Sequence, residues 1–162
     1  MSAELALPTA EDTRELGRRL GRLLRAGDLV VLTGDLGAGK TTLTQGIGEG
    51  LGVRGAVTSP TFVIARVHPS LVGGPALVHV DAYRLDSTLE LDDLDLDTDL
   101  AAAVVVVEWG HGLVEQLADD RLELTLTADP ATEARALRIA AVGPRWADPG
   151  VRAGLADLDS LA

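Results

Sequence analysis

Apolar residues in the first third of the chain recur at helical spacing and predict two helices. Thr9 is the expected N-cap of the first helix and Gly27 its expected C-terminal stop. The second helix should begin within a glycine-rich segment and run to about Leu51, where Gly52 ends it. The leucines that define the buried face of the first helix are Leu16, Leu20, Leu23 and Leu24.

Short continuous apolar runs predict strands between and after these helices. Residues 29–33 (LVVLT) and 103–109 (AVVVVEW) are apolar on both faces, as covered parallel strands are. Residues 61–67 and 76–85 read as two further strands, and the turn sequence PSLVGGP between them predicts an antiparallel hairpin.

Two segments near the C-terminus alternate with the two-residue period of strands. Residues 121–129 and 134–143 are expected to form a second pair near the sheet edge, and Asp148 followed by Pro149 is expected to open a closing helix. Helices interleaved with buried strands predict an α/β fold, a P-loop NTPase-like three-layer sandwich with a mixed, mostly parallel sheet. The whole chain, residues 1–162, is expected to form a single domain.

Composition narrows the class of protein. Hydrophobic residues make up 46% of the chain, cysteine is absent, and the net charge is −11. The acidic balance argues against direct binding of nucleic acid, and the lack of cysteine excludes thiolate sites. The start of the chain lacks the pattern of a secretory signal, and the apolar run 100–107 is too short to cross a bilayer. We therefore expect a cytoplasmic protein without a membrane partner.

Residues 34–42 read GDLGAGKTT and contain a complete Walker A motif, from Gly34 to Gly39, Lys40 and Thr41. A buried strand is predicted before the motif and a helix after it, which is the context that the motif requires. Its glycines let backbone N–H groups face phosphate oxygens, and the helix N-terminus favours negative charge. Lys40 is expected to contact the β- and γ-phosphates, and Thr41 to present its hydroxyl to Mg²⁺.

Lys40 is also the only lysine of the chain, whereas arginine occurs along its whole length. Arginine carries a planar fork of donors, while lysine places a compact charge at the end of a flexible stem. We infer that the phosphate site requires the second geometry.

Such a site needs an acidic group at the end of another strand, to hold Mg²⁺ or to position water. Asp81 ends the apolar run ALVHV, and Glu108 ends the run AVVVV. The more thoroughly apolar strand favours Glu108, but the sequence leaves open which carboxylate orients the attacking water. Ser59 and Thr61, in the segment VTSPTF after the predicted second helix, are candidates for a γ-phosphate-sensing switch.

The nucleotide is expected to be ATP. The chain contains no asparagine and no second lysine, so it lacks the Asn-Lys-x-Asp loop on which GTP specificity usually depends. A small-metabolite kinase would carry an arginine-rich lid, yet only Arg84 and Arg121 lie between Pro69 and Pro130. A kinase is therefore poorly supported. A non-catalytic scaffold, in which ATP occupancy alone docks a partner, is the other alternative.

The segments GDLGAGKTT, SPTF, DAYRL and VEW, in this order and spacing, resemble the TsaE (YjeE) family of small bacterial ATPases. Asp12-Thr13 followed by Leu16-Gly17 is similar to the N-terminal pattern of that family. Its members take part in threonylcarbamoyladenosine modification of tRNA. The resemblance covers about residues 9–143, and the segment from Pro144 onward matches no pattern.

The resemblance implies roles for individual residues. Asp81 would act near the γ-phosphate, Glu108 would be the second magnesium ligand or water-positioning group, and Thr13 and Arg135 would lie near the base. Ser59 to Thr61 would form the switch. The residues that would wrap the ATP phosphates are Gly37, Ala38, Gly39, Lys40, Thr41 and Thr42.

The resemblance also implies partners. Family members work beside two proteins, TsaD and TsaB, which transfer the threonylcarbamoyl group, while the TsaE protein hydrolyses ATP to support repeated turnover. The chain would then act on tRNA only indirectly, through the complex. No arginine finger is evident in the sequence, so we expect slow hydrolysis by the isolated chain and faster hydrolysis in the assembly.

Overall fold

The structure is a computed structural model that describes residues 2–34, 39–53, 65–81, 102–108, 120–129, 131–132 and 134–158. Within these ranges it contains seven strands, three α-helices and one short 3-10 helix over Pro144–Ala147. The strands are β1 (Ser2–Leu7), β2 (Leu29–Gly34), β3 (Ala65–His68), β4 (Ala76–Asp81), β5 (Ala103–Glu108), β6 (Arg121–Ala128) and β7 (Arg135–Val142). The helices are α1 (Ala10–Leu23), α2 (Lys40–Leu51) and α3 (Pro149–Asp157).

The strands form one mixed sheet in the order β1-β7-β6-β2-β5-β4-β3. Neighbouring strands from β6 through β2 and β5 to β4 run parallel. Both edges are antiparallel, with β3 against β4 on one side and β1 against β7 against β6 on the other. The prediction of an α/β fold with a mixed sheet is confirmed, and its parallel part is the centre.

The described helices cover one face of this sheet. Leu16 and Leu20 of α1 and Leu43 and Ile47 of α2 have no exposed surface. They pack in a cluster with core-facing residues of the strands, among them Val30, Leu32, Val106, Leu122 and Leu124. Such burial of leucine and valine supplies most of the free energy that orders the helices, at about 2 kcal/mol for each side chain.

The other face of the central strands is buried as well. Leu29, Val31, Val78, Val105 and Val107 are at most 3% exposed, although they point away from α1 and α2. This burial on both faces is what a three-layer sandwich requires, and it explains the uninterrupted valine and leucine runs of β2 and β5. In contrast, β6 alternates between buried leucines and partly or fully exposed polar residues, so its outer face contacts solvent.

Most predicted elements are present. Thr9 caps α1 in a capping box with Asp12, α2 ends at Leu51 with Gly52 as its left-handed C-cap, and α3 begins at Pro149. The predicted hairpin is the antiparallel pair β3–β4. One boundary was wrong: α1 ends at Leu23, and Gly27 instead lies in the following turn with a φ of 96°.

The N-terminal strand β1 was not predicted. Its alanines and glutamate are poor strand formers, but Leu5 and Leu7 face the core beside Leu137, and pairing with β7 outweighs the local preference. The pair β6–β7 lies near the sheet edge, as predicted, but β1 forms the edge itself, and β6 contacts the central strand β2.

Glycines bring α1 and α2 into backbone contact. A Cβ atom on Gly46 would lie 2.1 Å from the carbonyl oxygen of Arg14, and one on Gly17 would lie 2.4 Å from that of Leu43. Neither position has room for any side chain. The close approach fixes the first turns of the two helices side by side, which matters for the site described below.

None of the helices within the described ranges has the length and apolarity needed to cross a bilayer.

Candidate functional site

The junction between β2 and α2 carries the Walker A residues. Gly34 is the last residue of β2, and Gly39 is the N-cap of α2 with a φ of 101°. That left-handed conformation strains any residue with a Cβ atom, which explains the glycine. Gly37 and Ala38, which the sequence places in the phosphate loop, lie outside the described residues.

The first turns of α1 and α2 differ in how their backbone N–H groups are satisfied. At α1 the Thr9 side chain accepts from the N–H of Asp12, and the Asp12 carboxylate accepts from the N–H of Thr9. At α2, within the part of the chain that the structure describes, the N-cap makes no side-chain hydrogen bond and the first turn contains no acid. An uncapped helix N-terminus presents donors and a partial positive charge, which is a suitable environment for an anion.

Lys40 adds a full positive charge at this place. Its side chain is 8% exposed, and Nζ donates to the carbonyl oxygen of Gly34 at 2.5 Å. The ammonium group is therefore held at the carboxyl end of β2. Thr44 donates to the carbonyl oxygen of Lys40 at 2.8 Å, which secures the first turn.

Glu108 lies beside this junction because of strand order. It is the last residue of β5, in register with Leu32 of β2 on one side and with Asp81 of β4 on the other. Its carboxylate is buried at 4% exposure. Oε2 lies 3.0 Å from Nε2 of His79, a fully buried residue of β4. The side chain of Asp81 lies outside the described part of the structure.

A small pocket lies where α1, α2 and β7 meet. It is lined by Ala10, Thr13, Gly39, Thr42 and Arg135. Arg135 Nε and the Thr13 methyl group lie 3.7 and 4.0 Å from the Cβ position that Gly39 leaves open. Helix packing and the start of β7 thus bring together five residues, the first and last of which are 125 positions apart in the sequence.

The structure brings most of the predicted site residues to one end of the sheet. Thr41 lies in the first turn of α2, between Lys40 and the pocket residue Thr42. Ser59 and Thr61 lie outside the described residues, so the proposed switch stays a prediction. The backbone of Asp81 is described at the end of β4, and the predicted site residues described in full are Thr13, Gly39, Lys40, Thr41, Thr42, Glu108 and Arg135.

Sequence reasoning missed His79. Its spacing of two residues from Asp81 was a usable signal, because side chains two apart on a strand share a face. The contact with Glu108 depends on the register between β4 and β5, which the sequence alone does not give.

Two of the predicted site residues fit the ligand preferences of magnesium. Thr41 and Glu108 offer a hydroxyl and a carboxylate, the hard oxygen donors that Mg²⁺ prefers alongside phosphate and water. No group of three histidine or acidic side chains with metal-binding geometry occurs among the described residues. A metal shared with a nucleotide needs fewer protein ligands than a metal bound by protein alone.

A parallel central sheet with a Walker A motif between its middle strand and the next helix defines the class: an α/β protein of P-loop type. The particular family follows from comparison with known proteins. The family model described as "Threonylcarbamoyl adenosine biosynthesis protein TsaE" matches residues 7–137, and the chain belongs to this family.

Curated relatives carry the same name. The "tRNA threonylcarbamoyladenosine biosynthesis protein TsaE" of Streptomyces coelicolor is 65% identical over 147 residues, which cover 87% of this chain and 99% of the relative. The protein of that name from Bacillus subtilis is 39% identical, with 84% of each chain covered. A crystal structure of Bacillus subtilis YdiB superposes with a TM-score of 0.75 at 29% identity, over 99% of this chain and 95% of that one.

Proposed function

We propose that the chain is a magnesium-dependent ATPase that supports threonylcarbamoyladenosine modification of tRNA. The observation that carries the proposal is the first turn of α2. Its N-terminus has no side-chain cap or acid among the described residues, and the lone lysine of the chain is buried against it. A triphosphate would accept hydrogen bonds from the backbone N–H groups of this turn and from the ammonium group together.

Each residue has a distinct role in this proposal. Lys40 binds the β- and γ-phosphates, and Gly39 lets the backbone approach them. The hydroxyl of Thr41 and the carboxylate of Glu108 hold Mg²⁺, which neutralises charge on the phosphoryl oxygens when it is bound. Thr13 and Arg135, which share a pocket with Thr42, contact the base or sugar.

The attacking water needs a carboxylate to orient it. Glu108 and Asp81 end adjacent strands in register, so both belong to the same edge of the sheet. We leave open which of the two carboxylates orients the water. Replacing the one that does should abolish turnover while metal binding is kept.

Partners complete the proposed function. The relatives are named for tRNA threonylcarbamoyladenosine biosynthesis, but a net charge of −11 opposes direct binding of a polyanion. We propose that TsaD-like and TsaB-like proteins contact the tRNA, and that this chain hydrolyses ATP beside them in the cytoplasm.

The test is steady-state phosphate release from Mg·ATP with no phosphoryl acceptor, measured with and without the TsaD–TsaB pair. We expect slow release alone, faster release with the partners, and a loss of at least about 100-fold in Glu108→Gln. Glu4→Gln, at an exposed position of β1, is the matched control.

Other outcomes would favour the alternatives. Partner function that survives Glu108→Gln would indicate a nucleotide-gated scaffold. Strict dependence of phosphate transfer on an added small molecule would indicate a kinase. Equal turnover with and without the partners would refute stimulation.

A further inference from the structure

A histidine that the proposed mechanism does not use is buried beside its carboxylate. His79 has no exposed surface, and its Nε2 atom lies 3.0 Å from Oε2 of Glu108. Its other ring nitrogen, Nδ1, is buried and has no hydrogen-bond partner among the described residues. A buried polar atom without a partner is costly, so the residue needs a reason to be histidine.

The surroundings of His79 would suit an apolar side chain. Its partner in register is Val106, and Leu77 lies two positions earlier on the same face of β4, both with no exposed surface. Leucine at this position would pack without leaving a polar atom unsatisfied. The hydrogen bond to Glu108 is the one polar contact of the imidazole that the described structure offers in compensation.

The chemistry of the pair fixes its direction. The ionised form of Glu108 only accepts hydrogen bonds, so the pair then requires a proton on Nε2 of His79, and this N–H donates a hydrogen bond to Oε2. One oxygen of Glu108 is thereby held from the side of β4. The other oxygen, Oε1, keeps its lone pairs for a metal ion or a water molecule.

We propose that His79 is a positioning residue for Glu108: its Nε2–H fixes the carboxylate at the end of β5, with Oε1 directed to the reacting groups. Carboxylates that bind metal are commonly oriented by such hydrogen bonds, and loss of the partner costs about 10- to 100-fold in activity or metal affinity. This inference rests on the proposed function, because it presumes that Glu108 takes part in ATP hydrolysis.

Two variants separate a positioning role from mere packing. His79→Leu fills the space but cannot donate, and we expect kcat to fall about 10- to 100-fold. His79→Gln has an amide nitrogen at nearly the reach of Nε2, and we expect it to keep kcat within about threefold of wild type. Val106→Ala is the matched control, since it loosens the same packing without touching the hydrogen bond, and it should leave kcat within about twofold.

Separate measurements of the Kd for ATP and of kcat give a second test of the positioning role. The described hydrogen bond of His79 is made with Glu108 and that of Lys40 with Gly34, so the Kd for ATP without magnesium should change less than threefold in His79→Leu. In a Glu108→Gln background the same replacement should cause no further loss of kcat, because His79 acts through Glu108.

A spectroscopic readout needs no turnover. The imidazole ¹H–¹⁵N spectrum of the unliganded protein should show His79 as the Nε2–H tautomer, with its signal displaced in Glu108→Gln. An Nδ1–H tautomer, or equal kcat in His79→Leu and wild type, would overturn the inference.

Failure of the proposed function gives a different pattern. A wild-type chain that binds no Mg·ATP, or releases no phosphate even with its partners, refutes the function and the inference together. Normal wild-type hydrolysis with an unaffected His79→Leu variant refutes the inference alone.

Discussion

The two ends of strand β2 each bury charge, and they do so in different ways. Asp28, just before the strand, and Arg145, from the segment after β7, form a pair whose side chains are 4% and 8% exposed. Arg145 donates from Nε to Oδ1 at 3.0 Å and from Nη2 to Oδ2 at 3.1 Å. We refer to this pair as the clamp. Both oxygens of the carboxylate thus accept from guanidinium nitrogens.

The clamp is further enclosed by neutral groups. Asp28 also accepts from the backbone N–H of Arg25 at 2.8 Å, and Arg145 also donates to the carbonyl oxygen of Leu23 at 3.2 Å. The guanidinium stacks over the Trp146 ring, 4.7 Å from its centre. These contacts fix the segment after β7 to the turn between α1 and β2.

At the carboxyl end of β2, the described contacts of the buried charged groups are of a different kind. Lys40 donates to a backbone carbonyl oxygen, Glu108 accepts from a histidine, and the first turn of α2 has no acid to cap it. A phosphate oxygen can replace a carbonyl oxygen as the acceptor of the ammonium proton, whereas nothing small replaces a bidentate partner. A bidentate pair of opposite charges therefore stabilises the fold, whereas an ammonium group that donates to a carbonyl oxygen at a helix N-terminus can exchange that acceptor for a phosphate oxygen.

The largest expected effect comes from breaking the clamp. Arg145→Leu leaves the Asp28 carboxylate buried without its cation, and we expect the free energy of unfolding in urea to fall by about 3–5 kcal/mol. Replacing both residues by leucine should recover most of that loss. Arg138→Leu, at an exposed position of β7, is the control. A loss below about 1 kcal/mol in the single variant would show that the clamp does not stabilise the fold.

Removing the Lys40 ammonium group, at the carboxyl end of β2, should weaken Mg·ATP binding and leave the free energy of unfolding nearly unchanged. We expect Lys40→Ala to weaken Mg·ATP binding at least about 100-fold, equivalent to about 2.7 kcal/mol, with the free energy of unfolding changed by less than about 1 kcal/mol. Lys40→Arg should fail to restore binding, because the planar guanidinium has a different shape. Titration calorimetry and urea unfolding measure the two quantities. Wild-type affinity in the arginine variant would contradict the geometric argument.

Two glycines distinguish the cost of backbone strain from an effect on ligand binding. Gly39 and Gly73 both have positive φ, 101° and 76°, and a Cβ atom would meet nothing closer than 3.7 Å at either. Alanine should therefore cost about 1–2 kcal/mol of unfolding free energy at each position. Only Gly39→Ala should also weaken Mg·ATP binding, since Gly73 lies in the turn of the β3–β4 hairpin. Equal affinities in the two variants would remove Gly39 from the site.

An exposed ion-pair network gives the smallest expected effect. Arg14 and Arg18 of α1 hydrogen-bond to Glu49 of α2, and these bonds lower the pKa of Glu49 below its ordinary value. Because its side chain is 37% exposed, we expect Glu49→Gln to cost only about 0.5–1 kcal/mol at pH 7.

The sign of the pH dependence follows from the lowered pKa of Glu49. The stabilisation is complete above the ordinary glutamate pKa of about 4.3 and is lost as the pH falls through the lower native value. Unfolding curves of wild type and Glu49→Gln should therefore converge below about pH 4. A constant difference from pH 7 to pH 3 would contradict this assignment.

Local patterns predicted those elements whose boundaries have a local chemical cause. Thr9 and Asp12 start α1 through a capping box, and Gly52 ends α2 because its left-handed backbone suits glycine. The Walker A motif is likewise recognisable from residue type and spacing. In each of these cases a few adjacent residues contain the whole physical reason.

The features that the sequence did not predict depend on distant partners. Strand β1 is stabilised by pairing with β7, more than 120 residues later. The clamp joins residues separated by 117 positions, and the His79–Glu108 contact depends on the register of two strands. Polar side chains in such contacts look like ordinary surface residues until the topology is known.

The central claim is that the carboxyl end of β2 binds a nucleoside triphosphate with its metal. Titration calorimetry of the folded chain with Mg·ATP tests it most directly, with Lys40→Ala as the matched variant and thermal unfolding as a second readout. We predict one binding event per chain and a higher melting temperature for wild type, and neither for the variant. Absence of both heat and stabilisation in well-folded wild type at saturating Mg·ATP would contradict the claim.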